Sequence, residues 1–147
     1  MRNIRFFLAI IAFVLLMACI LPDTVTPASA SELMPLFNNV SSVLNPVTIS
    51  DSGKLTVTNQ YYGYDGTTTK AVITTYVEKK TLGFFWTRID IGQTDNQWVD
   101  TLYGYKNSVA HSLQLESTGT YRVVSIFVIY GTGGTSDEIE KITEKTY

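Results

Sequence analysis

One cysteine and one histidine are all that the 147 residues offer of the two side chains most used for disulfides, zinc and nucleophilic catalysis. The cysteine, Cys19, lies in an N-terminal apolar run, so the chain beyond it has neither a disulfide nor thiol chemistry. Zinc would need several His or Cys ligands, and they are absent. His111 would have to serve any Ser-His-Asp arrangement alone. It sits among Ser108, Ser112 and alternating apolar residues with no Gly-x-Ser-x-Gly elbow, and reads as a strand-surface or hydrogen-bonded residue. Beyond the N-terminal region Lys and Arg are scattered singly apart from Lys79-Lys80, so no basic stripe exists to displace counterions from a phosphate backbone. Nucleic acid is therefore excluded as a partner.

Other chemistries fail on pattern. Gly131-Thr132-Gly133-Gly134 has no following lysine and helix, so it is a hairpin turn and not a phosphate loop. Asp90, Asp95 and Asp100, and again Asp137, Glu138 and Glu140, could supply a carboxylate pair, but acids in loops are ordinarily solvated and little chain remains to build a cleft. Calcium would suit Asp90, Asp95, Asn96 and Asp100 better, yet no EF-hand spacing is present. The expectation is a protein with no catalytic residue, no metal and no cofactor.

What is present begins with MRNIR, the apolar run FFLAIIAFVLLMACIL, and Pro22, Pro27 and Ala28-Ser29-Ala30. This is the pattern of a secretory signal peptide over residues 1–30, cleaved after Ala30. The alternative takes Leu16-Met17-Ala18-Cys19 as a lipobox, with Cys19 lipid-anchored. Ile20, Leu21 and Pro22 extend the apolar region past Cys19, which favours Ala30 and a secreted product whose only membrane contact is the signal. Losing Arg2 and Arg5 from eleven basic residues, and Asp23 from thirteen acidic ones, leaves nine and twelve, a net charge of about −3.

Residues 31–52 are broken by Pro35 and Pro46 and read as an extended or partly helical leader, with Leu33, Leu36, Phe37, Val40, Val43 and Leu44 as a short helical stripe. From Gly53 the texture changes to Val, Ile, Thr, Tyr and Phe, with turn clusters at sandwich spacing. Seven strands are expected over Lys54–Tyr62, Lys70–Lys79, Phe84–Ile91, Gln97–Leu102, Ala110–Glu116, Tyr121–Tyr130 and Glu140–Lys145. Residues 53–147 are thus read as a single immunoglobulin-like antiparallel β-sandwich, all-β in class. Glu116 to Gly131, ESTGTYRVVSIFVIYG, matches the corner before strand F, with Tyr121 as the corner tyrosine and Val123 where an antibody domain has its second cysteine. The expected substitute for the disulfide is an apolar cluster of Ile73, Trp86 and Val123. Alternation in the third strand opposes this by placing Phe85, Ile89 and Ile91 together and Phe84, Trp86 and Arg88 on the other face. The core reading of Trp86 is preferred because large aromatics are highly buried on average.

YVEKKTLGFFWTRID, then Gly119-Thr120-Tyr121-Arg122-Val123 and a glycine-rich loop leading to Glu138, resembles a widespread group of small secreted proteins of Gram-positive bacteria, families of unknown function. The resemblance spans Thr69 to Glu140 and implies export and a β-sandwich. It carries no catalytic or binding residue across.

The remaining signal is aromatic. Tyr-Gly-Tyr occurs twice, at 62–64 and 103–105, and Tyr61, Tyr62, Tyr64, Trp98, Tyr103 and Tyr105 lie in or beside glycine-containing loops, with Tyr62, Tyr64, Trp98, Tyr103 and Tyr105 as the candidate ligand-binding residues. Flat aromatic faces stack on sugar rings, and Asp65, Gln97 or Asn107 would take the hydroxyls. The expected function is a secreted, non-enzymatic module binding cell-wall glycan or another surface polymer. The alternative is a protein-interaction or antimicrobial, bacteriocin-like factor whose partner is a surface protein.

Overall fold

In the structure, a computed structural model, residues 37–147 are described. The expected signal peptide, its expected cleavage site and Cys19 lie outside them. The first sheet is built on β3 (Lys54–Gly63), whose Leu55, Val57, Asn59 and Tyr61 alternate inward. β7 (Lys106–Gln114) runs antiparallel along one edge of β3. Along the other edge lie β1 (Val40–Leu44) and β2 (Val47–Ile49), end to end. The second sheet is built on β4 (Thr68–Thr81) and β8 (Thr120–Gly131), paired over most of their length. β9 (Asp137–Thr146) flanks β8, while β5 (Phe85–Arg88) and β6 (Trp98–Tyr103) share the free edge of β4. The two antiparallel sheets pack as a sandwich. In immunoglobulin terms β1 and β2 are a divided A, β3 is B, β4 is C, β7 is E, and β8 and β9 are F and G.

Two expectations require correction. Within the expected leader, Val40–Leu44 and Val47–Ile49 belong to the domain, because β1 and β2 are hydrogen-bonded members of the first sheet. A register shift between Val40 and Ser42, and the break at Asn45-Pro46, erase the period-two pattern that would have announced them. Trp86 is not core. It lies opposite Lys80 on the outer face of the second sheet, half-buried, with the Arg122 guanidinium 4.5 Å from its ring. The third strand proves to be an edge hairpin that projects past the sandwich, and β4 takes the central place.

Ile73 and Val123 are both fully buried but belong to different apolar clusters. Between the clusters runs a layer of hydrogen bonds. Asn59, Thr75 and Ser125, each mid-strand and each 0 % exposed, interrupt the apolar alternation of β3, β4 and β8. Asn45 Nδ2 donates to Asn59 Oδ1 (2.7 Å) and Ser125 Oγ (2.8 Å), and Asn59 Nδ2 donates to Thr75 Oγ1 (2.7 Å). Thr75 and Ser125 hydroxyls lie 3.0 Å apart, and Thr143 Oγ1 on β9 donates to Asn45 Oδ1 at 3.2 Å. No buried side-chain nitrogen or oxygen among the described residues lacks a partner. This belt ties the two sheets together. The corner is also in place: Tyr121 Oη donates to the Ser117 carbonyl at 2.5 Å.

Tyr61, fully buried, donates its hydroxyl to the carbonyls of Gly104 (2.8 Å) and Leu102 (3.3 Å). Burial raises its pKa above 10.0, so the folded state holds the proton more tightly than the unfolded chain. Its contribution is complete below about pH 10 and is lost as pH rises through the folded pKa. Tyr61→Phe is expected to cost about 1–2 kcal/mol at neutral pH and to soften the alkaline decline, both measurable by urea titration between neutral pH and pH 11.

Candidate functional site

The β3–β4 turn, the β6–β7 turn and the β8–β9 loop cluster at one end of the sandwich. Backbone hydrogen bonds join the two Tyr-Gly-Tyr segments: Gly63 N–H donates to Tyr105 O (2.6 Å) and Gly104 N–H to Thr69 O (2.9 Å). The hydroxyl of Tyr61 reaches the second turn from the core, as described above. The first turn is closed by Thr67 and Thr68 N–H groups on the Tyr64 carbonyl, at 3.0 and 2.9 Å. The third loop is tied in by Thr132 N–H to Thr67 O (3.0 Å).

Asp137, buried at the start of β9, pins the chain entering β1. Its carboxylate accepts the N–H groups of Asn38 (3.0 Å) and Asn39 (2.6 Å). Asn39 in turn donates to Thr135 O (2.8 Å) and accepts from Gly133 N–H (3.2 Å). A Cβ on Gly133 would collide with the Asn38 carbonyl, so glycine is required for this approach. The platform beneath the tyrosines is therefore fixed before any ligand arrives.

On it stand Tyr62, Tyr64 and Tyr103, with 37, 44 and 72 % of their surface exposed. Tyr105 is half-buried under the Lys106 ammonium, 5.4 Å from its ring. Beside Tyr62, a shallow depression of about 320 Å³ is lined by Gln60, Tyr61, Lys106, Asn107 and Ser108. Asn107 was legible as a hydroxyl partner. Gln60, Lys106 and Ser108 were missed, and only the pairing register of β3 with β7 brings them beside Tyr62. Asp65 is exposed in the first turn. Gln97 is remote from this end, next to Trp98.

Trp98 does not join the tyrosines. Alternation on β6 sends Trp98, Asp100 and Leu102 inward, opposite to Val99, Thr101 and Tyr103. Its ring stacks on His111 at 4.7 Å and 2°. His111 Nε2 lies 2.7 Å from the Asp100 carboxylate, which accepts, and so links β7 of one sheet to β6 of the other. Ser112 is on the opposite face of β7 and shares a 3.1 Å hydrogen bond with Thr56. The histidine thus closes the edge of the sandwich and no serine of β7 shares its side.

The acidic residues are dispersed as well. Asp100 is engaged by His111, and Asp90 accepts the Gly92 N–H at 2.8 Å. Among the described residues no three His, Cys, Asp or Glu side chains converge on a common point. A second depression, about 350 Å³, lies at the far end between Asp90, Gln114, Glu116 and Tyr121. Lys79 crosses it to donate to Ser117 Oγ (2.6 Å). Compared with known proteins, the chain matches no family model and no curated relative.

Proposed function

We propose that the chain is an exported, non-enzymatic binding module of a Gram-positive bacterium that takes a cell-wall glycan, or another surface polymer, on its tyrosine end. The observation that carries this reading is the direct hydrogen bonding of the two Tyr-Gly-Tyr turns, which holds three exposed phenol rings on one rigid end. Such rings offer flat apolar faces for pyranose C–H groups. The amides of Gln60 and Asn107, the Ser108 hydroxyl and the Lys106 ammonium then supply donors and acceptors for sugar hydroxyls. A shallow, open depression suits a chain polymer that passes across it better than a small substrate needing enclosure.

Retention on insoluble peptidoglycan or wall polysaccharide tests this. The wild-type domain should be retained, and Tyr62→Ala or Tyr103→Ala should each weaken retention about tenfold, equivalent to about 1.4 kcal/mol. Trp98→Phe should leave it unchanged, because that ring faces the sandwich edge. A wild-type protein that stays in the supernatant would sink the proposal.

A further inference from the structure

The end opposite the tyrosines carries a different surface. β4 is 14 residues long and spans about 45 Å, from the tyrosine turn at Thr68 to a hairpin tip beyond Thr81. At that tip Leu82, Phe84 and Phe85 are 82, 66 and 55 % exposed. The two phenyl rings lie 4.2 Å apart, tilted at 49°.

The backbone there does not favour leucine. Leu82 and Gly83 have φ of 51° and 81° between Thr81 and Phe84, the signature of a turn that prefers Asn-Gly. Leu82 adopts a left-handed conformation unfavourable to its side chain and gains no burial in return. Strain that the fold does not need points to a use for the exposed side chain.

Cations stand immediately behind the tip. Lys80 and Trp86 are paired across the hairpin, with the Lys80 ammonium 5.4 Å from the indole ring. Lys79 and Arg88 follow. Glu78 is occupied by Arg122, and none of Lys79, Lys80 or Arg88 has an ion pair with a described carboxylate.

We propose that this hairpin tip inserts into the interfacial layer of an anionic lipid bilayer. The order of groups matches the order of layers: aliphatic and phenyl side chains outermost, then an indole and a lysine together, then further cations. The Lys80–Trp86 pair lies about 7 Å behind the apex at the ~3.3 Å rise of a strand residue, within the roughly 5–10 Å that interfacial segments bury. Taken with the proposed function, the tyrosine end then points away from the membrane. Lipid binding itself stands or falls without glycan.

The described residues form one compact unit with its own core, so the domain lacking residues 1–30 is suitable for the test. Vesicles of equal phosphatidylglycerol and phosphatidylcholine are mixed with it and sedimented, with tryptophan emission followed in parallel. Partition is expected, with a blue shift, at least tenfold stronger than on pure phosphatidylcholine and weakened by salt. Leu82→Asn should reduce it about tenfold while leaving the melting temperature equal or higher, since asparagine accepts this turn. Phe84→Ser should reduce it similarly. Absence of partition, partition indifferent to both substitutions, or equal partition on the two vesicle types overturns the proposal.

Discussion

Asn59→Ala is expected to lower stability by about 3–4 kcal/mol, a large part of what a domain this size possesses. The amide is at the centre of the belt, accepting from Asn45 and donating to Thr75. Alanine leaves an amide hydrogen and a hydroxyl lone pair without partners in a site closed to water, and it also opens a cavity. The loss is therefore a shared property of the belt. A double-mutant cycle with Thr75→Val should show coupling of about 1–3 kcal/mol, because valine removes the hydroxyl that Asn59→Ala orphans. Chemical denaturation of the four proteins supplies the numbers. Additive effects would mean the belt is a set of separate bonds and no network.

The second large effect is expected at Asp137. Asp137→Ala should cost about 3 kcal/mol, since two backbone N–H groups lose a charged acceptor in a largely buried place. Asp137→Asn should recover part of the loss, because one carbonyl oxygen still accepts while the new NH₂ faces a donor. The two variants also separate local from global damage. Hydrogen exchange of the β1 amides, Val40 to Leu44, should accelerate far more than that of β4 and β8. Uniform acceleration through the whole sandwich would show that the carboxylate supports the core and not the anchoring of the N-terminal strand.

Much of this architecture was legible because β3 and the middle of β4 alternate between buried and more exposed positions, β8 is rich in Val, Ile and Phe, and glycine, asparagine and aspartate mark the turns. Tyr121 and its corner follow from the order of residues before strand F. The divided edge strand β1–β2 was hidden, since a bulge and a proline interrupt its period. Trp86 was misread for a related reason. A hairpin that projects beyond the sandwich places large aromatics outside the core, which average burial does not anticipate. The belt was the least visible feature. Asn59, Thr75 and Ser125 lie 16 and 50 residues apart along the chain, and a single polar residue within an apolar strand signals nothing until the two sheets face each other.

The candidate site divides in the same way. The repeated Tyr-Gly-Tyr was visible in sequence, and its two copies meet in space. Trp98 was grouped with them by proximity to a loop, although alternation on its own strand turns it inward onto His111. Gln60, Lys106 and Ser108 depend on the register between β3 and β7, which a sequence does not display.

The most direct test of the central claim is a titration of the ¹⁵N-labelled domain with soluble cell-wall glycan fragments, followed through its backbone amide resonances. The account predicts saturable shifts confined to residues 60–66 and 102–108, with Trp98 and the hairpin at 82–86 unmoved. Spectra unchanged at millimolar glycan, or shifts centred on any other surface, would contradict it.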